Sequence, residues 1–236
     1  MAGKKYAEAS KKVNRDNKYT VDEAFALAVE TSIAKFNESI DVSVNLGVDA
    51  KQSDQQVRGA VTLPHGLGKE VKILVFAKGD KEREAKEAGA DFVGSDDLIE
   101  KIQGGWLGFD KAIATPDMMV AVSKVARVLG PRGLMPNPKV GTVTFDLAKT
   151  IAAEKKGKLD FRIEKAGIVQ VSVGKKDMGK DKLKDNFMSF LTALMKAKPA
   201  TSKGNYINAI TVSSTMGPGI KVDINKAQAQ ATASTT

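Results

Sequence analysis

The sequence predicts an α+β outer domain, an antiparallel sheet with helices, into which a three-layer, Rossmann-like α/β domain is inserted. Three observations predict it. Apolar residues alternate at period two at Ile40, Val42, Val44, Leu46 and Val48, and the same pattern returns at 159–164, 168–173 and 207–212. Between these regions short apolar runs alternate with charged helical stretches, as in a parallel or mixed sheet covered on both faces. The change of pattern falls at two glycine-marked crossings, Gly66-Leu67-Gly68 and Gly157-Lys158. The outer domain is therefore assigned to 1–67 plus 158–236 and the insert to 68–157, with Gly66, Gly68 and Gly157 as hinge positions.

In chain order, 4–13 reads as a short basic helix. Thr20 and Glu23 form a capping box ahead of an apolar stripe through Val21, Ala24, Phe25, Leu27, Ala28 and Ile33, which predicts a second helix. The alternating strand from Ile40 follows, then a polar loop and a second strand through Val57, Gly59, Val61 and Leu63. In the insert, Val71 to Phe76 is a compact strand, 80–88 a charged helix and 91–93 a short strand. A helix opens at Ser95 with Asp96 and Asp97 in its first turn and ends at Gly104 and Gly105. A strand over 111–115 leads to one helix opened by Pro116 and Asp117 and running through Met118, Val120, Val125 and Val128, and 145–153 gives another. After the second crossing come two strands joined by Lys165-Ala166-Gly167, and then a long amphipathic helix carrying Leu183, Phe187, Phe190, Leu191 and Leu194. A hairpin with its turn at Ser213 to Gly219 closes the fold. Residues 225–236, all Ala, Gln, Ser, Thr, Asn, Ile-free and with one Lys, read as a frayed, disordered tail.

Composition narrows the function classes. The 236 residues are 42% hydrophobic, enough for a real core, and contain no apolar run of 18 and no signal-peptide core, which predicts a cytoplasmic protein with no membrane partner. The absence of Cys excludes disulfides, thiol catalysis and cysteine-zinc sites. The formal charge of +9 is unevenly spread: residues 1–67 carry 9 basic and 9 acidic side chains, 68–157 carry 15 and 13, and 158–236 carry 13 and 6. A basic C-terminal third suits a polyanionic partner. A surplus of Lys kept for solubility gives the same count.

Catalysis is poorly supported. The single histidine, His65, lies in a glycine-rich crossing without a Cys partner, and fits a hinge better than a general base. Gly66, Gly68 and Lys69 do not make a phosphate loop, because Glu70 follows the lysine and the next element is a strand rather than a helix. Nor does a Gly-x-Gly-x-x-Gly follow the Val71 strand; Ala77-Lys78-Gly79-Asp80 stands there. No cofactor or metal is expected. The loop Gly130 to Lys139 is either a contact surface or a folded connection across the sheet end. The hairpin turn is more suggestive: Thr215, Met216 and Gly217 set hydroxyls and a thioether beside bare backbone, which suits the shallow, 2′-hydroxyl-lined minor groove of RNA. An ordinary tight hairpin is the alternative. Lys35, Phe36, Ser39 and Asp41 precede or open the alternating strand, and would join that turn in one RNA-facing patch if the two segments are neighbours.

Several stretches resemble one family: Lys35-Phe36-Asn37-Glu38-Ser39-Ile40-Asp41, Ser53-Asp54-Gln55-Gln56-Val57-Arg58-Gly59, Leu63-Pro64-His65-Gly66-Leu67-Gly68-Lys69, Gly130-Pro131-Arg132-Gly133-Leu134-Met135-Pro136-Asn137-Pro138-Lys139 and Ser214-Thr215-Met216-Gly217-Pro218. They are similar to the bacterial large-subunit ribosomal protein L-one family, over nearly the whole chain. The resemblance implies a protein that is monomeric when free and binds 23S ribosomal RNA at the mobile stalk near the exit site. It also implies help in releasing deacylated exit-site tRNA, and repression of translation from its own operon mRNA through the same surface. Carried over by motif, the RNA-binding residues are Lys35, Phe36, Ser39, Asp41, Thr215, Met216 and Gly217; Ser39 and Asp41 stand where close relatives carry Thr and Glu. A nucleotide-binding enzyme using the insert, or a generic basic RNA-binding module, are the competing classes.

Overall fold

The computed structural model describes residues 3–202 and 204–233. The chain divides into two compact units, Met1–Gly68 with Leu159–Thr236, and Lys69–Lys158. The first unit opens with α1 (Lys4–Lys11), α2 (Val21–Glu30), β1 (Ser39–Leu46) and β2 (Arg58–Thr62). Helix α2 starts as its sequence dictates: the Glu23 amide donates to Thr20 Oγ1 at 3.4 Å, and the Thr20 amide donates back to Glu23 Oε2 at 2.9 Å.

The second unit contains β3 (Ile73–Phe76), α3 (Asp80–Glu87), β4 (Phe92–Gly94), α4 (Asp96–Gln103), β5 (Lys111–Ala114), α5 (Met119–Val122), α6 (Ala126–Leu129) and α7 (Leu147–Lys155). Its three strands are parallel in the order β4-β3-β5. Strand β3 is buried on both faces, because alternate residues enter different clusters. Leu74 and Phe76 pack with Ile99, Ile102, Val122 and Leu129, whereas Ile73 and Val75 pack with Ala85, Leu147 and Ile151. The single helix expected from Pro116 is instead a broken one: 3-10 turns at Pro116–Met118 and Ser123–Val125 alternate with α5 and α6. Met118, Val122, Val125 and Leu129 nevertheless keep one buried face without a continuous α-helical ladder, whereas Val120, expected on the apolar stripe, is 80% exposed. Phe145 lies outside α7 and is exposed, against the expected start of that helix.

The chain returns to the first unit through β6 (Lys158–Arg162), β7 (Ile168–Lys175), α8 (Gly179–Lys196), β8 (Ile207–Ser214), β9 (Ile220–Val222) and α9 (Ile224–Ala233). A four-stranded antiparallel sheet has the order β7-β1-β8-β9, and β2 with β6 form a separate two-stranded ribbon. Ile40, Val42 and Val44 of β1 are fully buried against the core of α2 and α8, where the Phe25 and Phe187 rings stand 5.4 Å apart. The alternate residues, Ser39, Asp41 and Ser43, lie on the other face and are half-exposed. The frayed tail expected over 225–236 is corrected as far as Ala233: Asp223 Oδ1 accepts the Asn225 and Lys226 amides as an N-cap, and Ala227 and Ala231, four apart, are fully buried. Small side chains let α9 approach closely and alanine favours helix, two facts that low hydrophobicity conceals. The last three positions of that assignment, 234–236, lie outside the described residues.

Candidate nucleic-acid interface

The loop after α2, the start of β1 and the β8–β9 turn converge at one end of the antiparallel sheet. Register causes this, since Ile40 pairs with Ser214 and Asp41 with Ser213. Three hydrogen bonds then lock Ser39 to Thr215: the Thr215 amide donates to Ser39 O at 3.1 Å, the Ser39 amide to Thr215 Oγ1 at 3.0 Å, and Thr215 Oγ1 to Ser39 O at 3.2 Å.

Beneath this pair sits Glu38, fully buried. One carboxylate oxygen accepts the Ala34 amide at 2.6 Å and the other accepts the Met216 amide at 3.0 Å, so a single side chain ties the loop that carries Lys35 and Phe36 to the turn that carries Met216. Its backbone carbonyl accepts the Lys176 amide at 2.9 Å. Burial pushes the Glu38 carboxyl upward, but the Met216 and Ala34 amides, the Ser214 hydroxyl and the Lys176 charge outweigh it and leave the group below its ordinary value. The anion is thus the folded form.

On this base two large apolar side chains face outward, Phe36 at 57% exposure and Met216 at 54%. Isolated exposed hydrophobics are common, but these two stand on segments braced by the same buried carboxylate. Gly217 is required by close approach: a Cβ there would lie 2.3 Å from Ser214 Oγ and 3.3 Å from Thr31 O. Around them the surface is cationic and hydroxylic. A bulge between β1 and β7 shifts register from Ile40–Gly174 to Asp41–Ser172, and beyond it Lys175 Nζ donates to Ser39 Oγ at 2.8 Å. Asp41 is half-buried, and its carboxyl is raised by desolvation, opposed by the Ser172 hydroxyl and the Lys175 charge.

All seven residues singled out in the sequence therefore lie in this region, with Lys35 exposed beside Phe36. The sequence reading missed Glu38 and Ser172. Glu38 had a signal, an acidic residue directly before an alternating strand, but its burial depends on a turn 178 residues away. Gly66, Gly68 and Gly157, expected as hinge positions, all have positive φ, at 67°, 65° and 93°. Among the described residues no cluster of three or more metal-ligating side chains occurs, and no helix is long and apolar enough to cross a membrane.

The chain is 69% identical over 229 residues to the large ribosomal subunit protein uL1 of Bdellovibrio bacteriovorus, covering 97% of this chain and 98% of that one. It is 57% identical over 221 residues to the protein of the same name from Solidesulfovibrio magneticus, covering 94% of each. These are ribosomal proteins and not enzymes. Residues 28–218 match the family described as Ribosomal protein L1p/L10e, and with relatives this similar over nearly its whole length the chain belongs to that family.

Proposed function

We propose that this protein is a structural constituent of the large ribosomal subunit, and that the surface built on Glu38 binds 23S ribosomal RNA at the mobile stalk near the exit site. One observation carries the assignment of the surface: Phe36 and Met216 are exposed yet held on segments that a buried, hydrogen-bonded carboxylate fixes together. Preorganised apolar contacts beside hydroxyls suit RNA, whose shallow minor groove offers sugar faces and 2′-hydroxyls. In this reading Phe36 and Met216 pack on riboses or bases, Ser39, Asp41 and Thr215 exchange hydrogen bonds with 2′-hydroxyls, Gly217 admits the backbone closely, and Lys35 meets phosphate. The same surface takes a similar fold in the operon's own mRNA and represses its translation. The unit Lys69–Lys158 moves about Gly66, Gly68 and Gly157 to assist release of deacylated tRNA. The working protein is monomeric when free and resides on the cytoplasmic ribosome.

Binding of a stalk RNA fragment in the presence of excess tRNA tests this reading. Thr215→Val and Met216→Asp should each weaken binding by about 1–3 kcal/mol, through loss of a desolvated hydroxyl contact and through a carboxylate placed near phosphate. Unchanged affinity in folded variants would remove the surface from the reading.

A further inference from the structure

The β2–β6 ribbon carries an arrangement that its own packing does not explain. The Ile163 amide donates to Val57 O at 2.8 Å, and a Cβ at Gly59 would lie 2.7 Å from the Phe161 ring. Both facts give an antiparallel register in which Arg58 stands directly opposite Arg162. Phe161 is buried in the core, so the arginines, one position along, face solvent, and both are exposed. Facing residues that do not exchange hydrogen bonds approach to about 4.5 Å at Cα, and like charges placed so destabilise the ribbon. Among the described residues neither arginine has an ion pair or side-chain hydrogen bond, and neither does Lys165 in the turn that follows β6. The three cations border an open groove of about 630 Å³ that also holds Glu164, which pairs with none of them.

We infer that Arg58 and Arg162 clamp a backbone phosphate of bound RNA, with Lys165 at the edge of the clamp. A phosphate between two guanidinium groups would replace their repulsion with charge-assisted, bidentate hydrogen bonds. A tethered phosphate is favoured over a free anion because the groove is open to water, where a single small ion binds weakly, while a polyanion already held elsewhere presents its phosphate at high effective concentration. The clamp rests on the RNA reading above but is a separate site. The Leu46 amide donates to Gly167 O at 2.9 Å, which sets the Lys165 turn at the far end of β1 from Ser39, roughly 23 Å away at about 3.3 Å per residue.

The test compares wild type, the double variant Arg58→Gln/Arg162→Gln, the double variant Arg58→Lys/Arg162→Lys and Thr215→Val, in stalk RNA titrations over a series of salt concentrations, with thermal unfolding of each free protein. The glutamine pair should lower the slope of log affinity against log salt by about 1, for the one phosphate that the clamp neutralises, and reduce affinity at least about tenfold, while the free protein melts no lower than wild type because the repulsion is gone. The lysine pair should restore most of the slope, and Thr215→Val should leave it unchanged. Wild-type slope and affinity in the glutamine pair would overturn the clamp while leaving the Thr215 surface standing. A lower melting temperature in that variant would overturn it in favour of a structural role, and a thermal shift by inorganic phosphate, lost in the variant without any change in RNA slope, would overturn it in favour of a free anion. Failure of the wild type to bind stalk RNA would overturn both readings.

Discussion

At the scale of single residues, Glu38 decides whether the candidate interface exists as one surface. Glu38→Gln keeps the shape, but an amide offers one oxygen where two N–H groups need acceptors, and its NH₂ then faces either the Ala34 or the Met216 amide. Leaving one buried donor unpaired costs about 1–3 kcal/mol, measurable by urea unfolding at neutral pH. The sign of the pH dependence follows from the lowered carboxyl: its stabilisation is complete above the ordinary glutamate value of 4.5 and is lost as pH falls through the lower folded value. Wild type should therefore lose this increment on acidification below 4.5, and the Gln variant should not; parallel acid profiles would show that the charge is not what braces the loop. Gly217 gives a second residue-scale test. Gly217→Ala puts a methyl group 2.3 Å from Ser214 Oγ, so the turn must shift and RNA affinity should fall, whereas Gly217→Ala/Ser214→Ala removes the obstructing atom, leaves Ser214 Cβ at an ordinary 3.5 Å and should recover part of the loss. No recovery in binding titrations would mean that the Ser214 hydroxyl is not the obstacle.

At the scale of elements, the helix that closes the core also holds the first crossing. Asn186 on α8 is fully buried, donates to Gly66 O and Val173 O at 2.8 Å each, and accepts the His65 amide at 3.1 Å. His65 itself reaches Asp185 through Nε2 at 3.1 Å, so the lone histidine serves as an anchor in the crossing. Asn186→Leu fills the volume but strands three backbone groups, and should cost about 2–4 kcal/mol while raising amide hydrogen exchange at His65, whose N–H loses its acceptor. Full protection at His65 in that variant would argue against this hold on the crossing. None of this was legible in the sequence, where Asn186 is one polar residue on an otherwise apolar helical stripe. What was legible had a period or a local partner: β1 through its alternation, α2 through Thr20 and Glu23, β3 through its unbroken apolar run. What was hidden depended on partners distant in sequence, as with Glu38, or on the packing of small residues, as with Ala227 and Ala231 in α9. The broken helix after Pro116 was hidden for a different reason, since a 3-10 turn and an α-turn bury the same spacing of apolar residues.

At the scale of the whole molecule, the path of the chain gives the insertion its logic. Strand β2 runs up to Thr62 and β6 starts at Lys158 beside it in one antiparallel ribbon, so the chain leaves the outer unit and re-enters it on neighbouring strands. Such a site tolerates a long insertion because the ends to be joined are already adjacent. Among the described residues, the core cluster of the outer unit, with Phe25, Val42, Val44, Phe187 and Leu191 all fully buried, is made of residues outside 69–158. Replacing 69–156 by a short Gly/Ser linker should therefore give a protein that folds cooperatively, since loop-closure entropy changes only as the logarithm of length. Charge divides the labour in the same remnant: its two segments carry 0 and +7, so phosphate contact remains with it. The remnant should bind stalk RNA nearly as tightly as the full chain, and Lys175→Gln/Lys176→Gln in it should flatten the salt dependence for every RNA alike, whereas Phe36→Ala should narrow the preference for stalk RNA over unrelated RNA. It should fail to support tRNA release, because the unit proposed to move is missing. A remnant that folds yet loses stalk RNA would place essential contacts within 69–158, and one that does not fold would show that the outer unit needs its insert for stability.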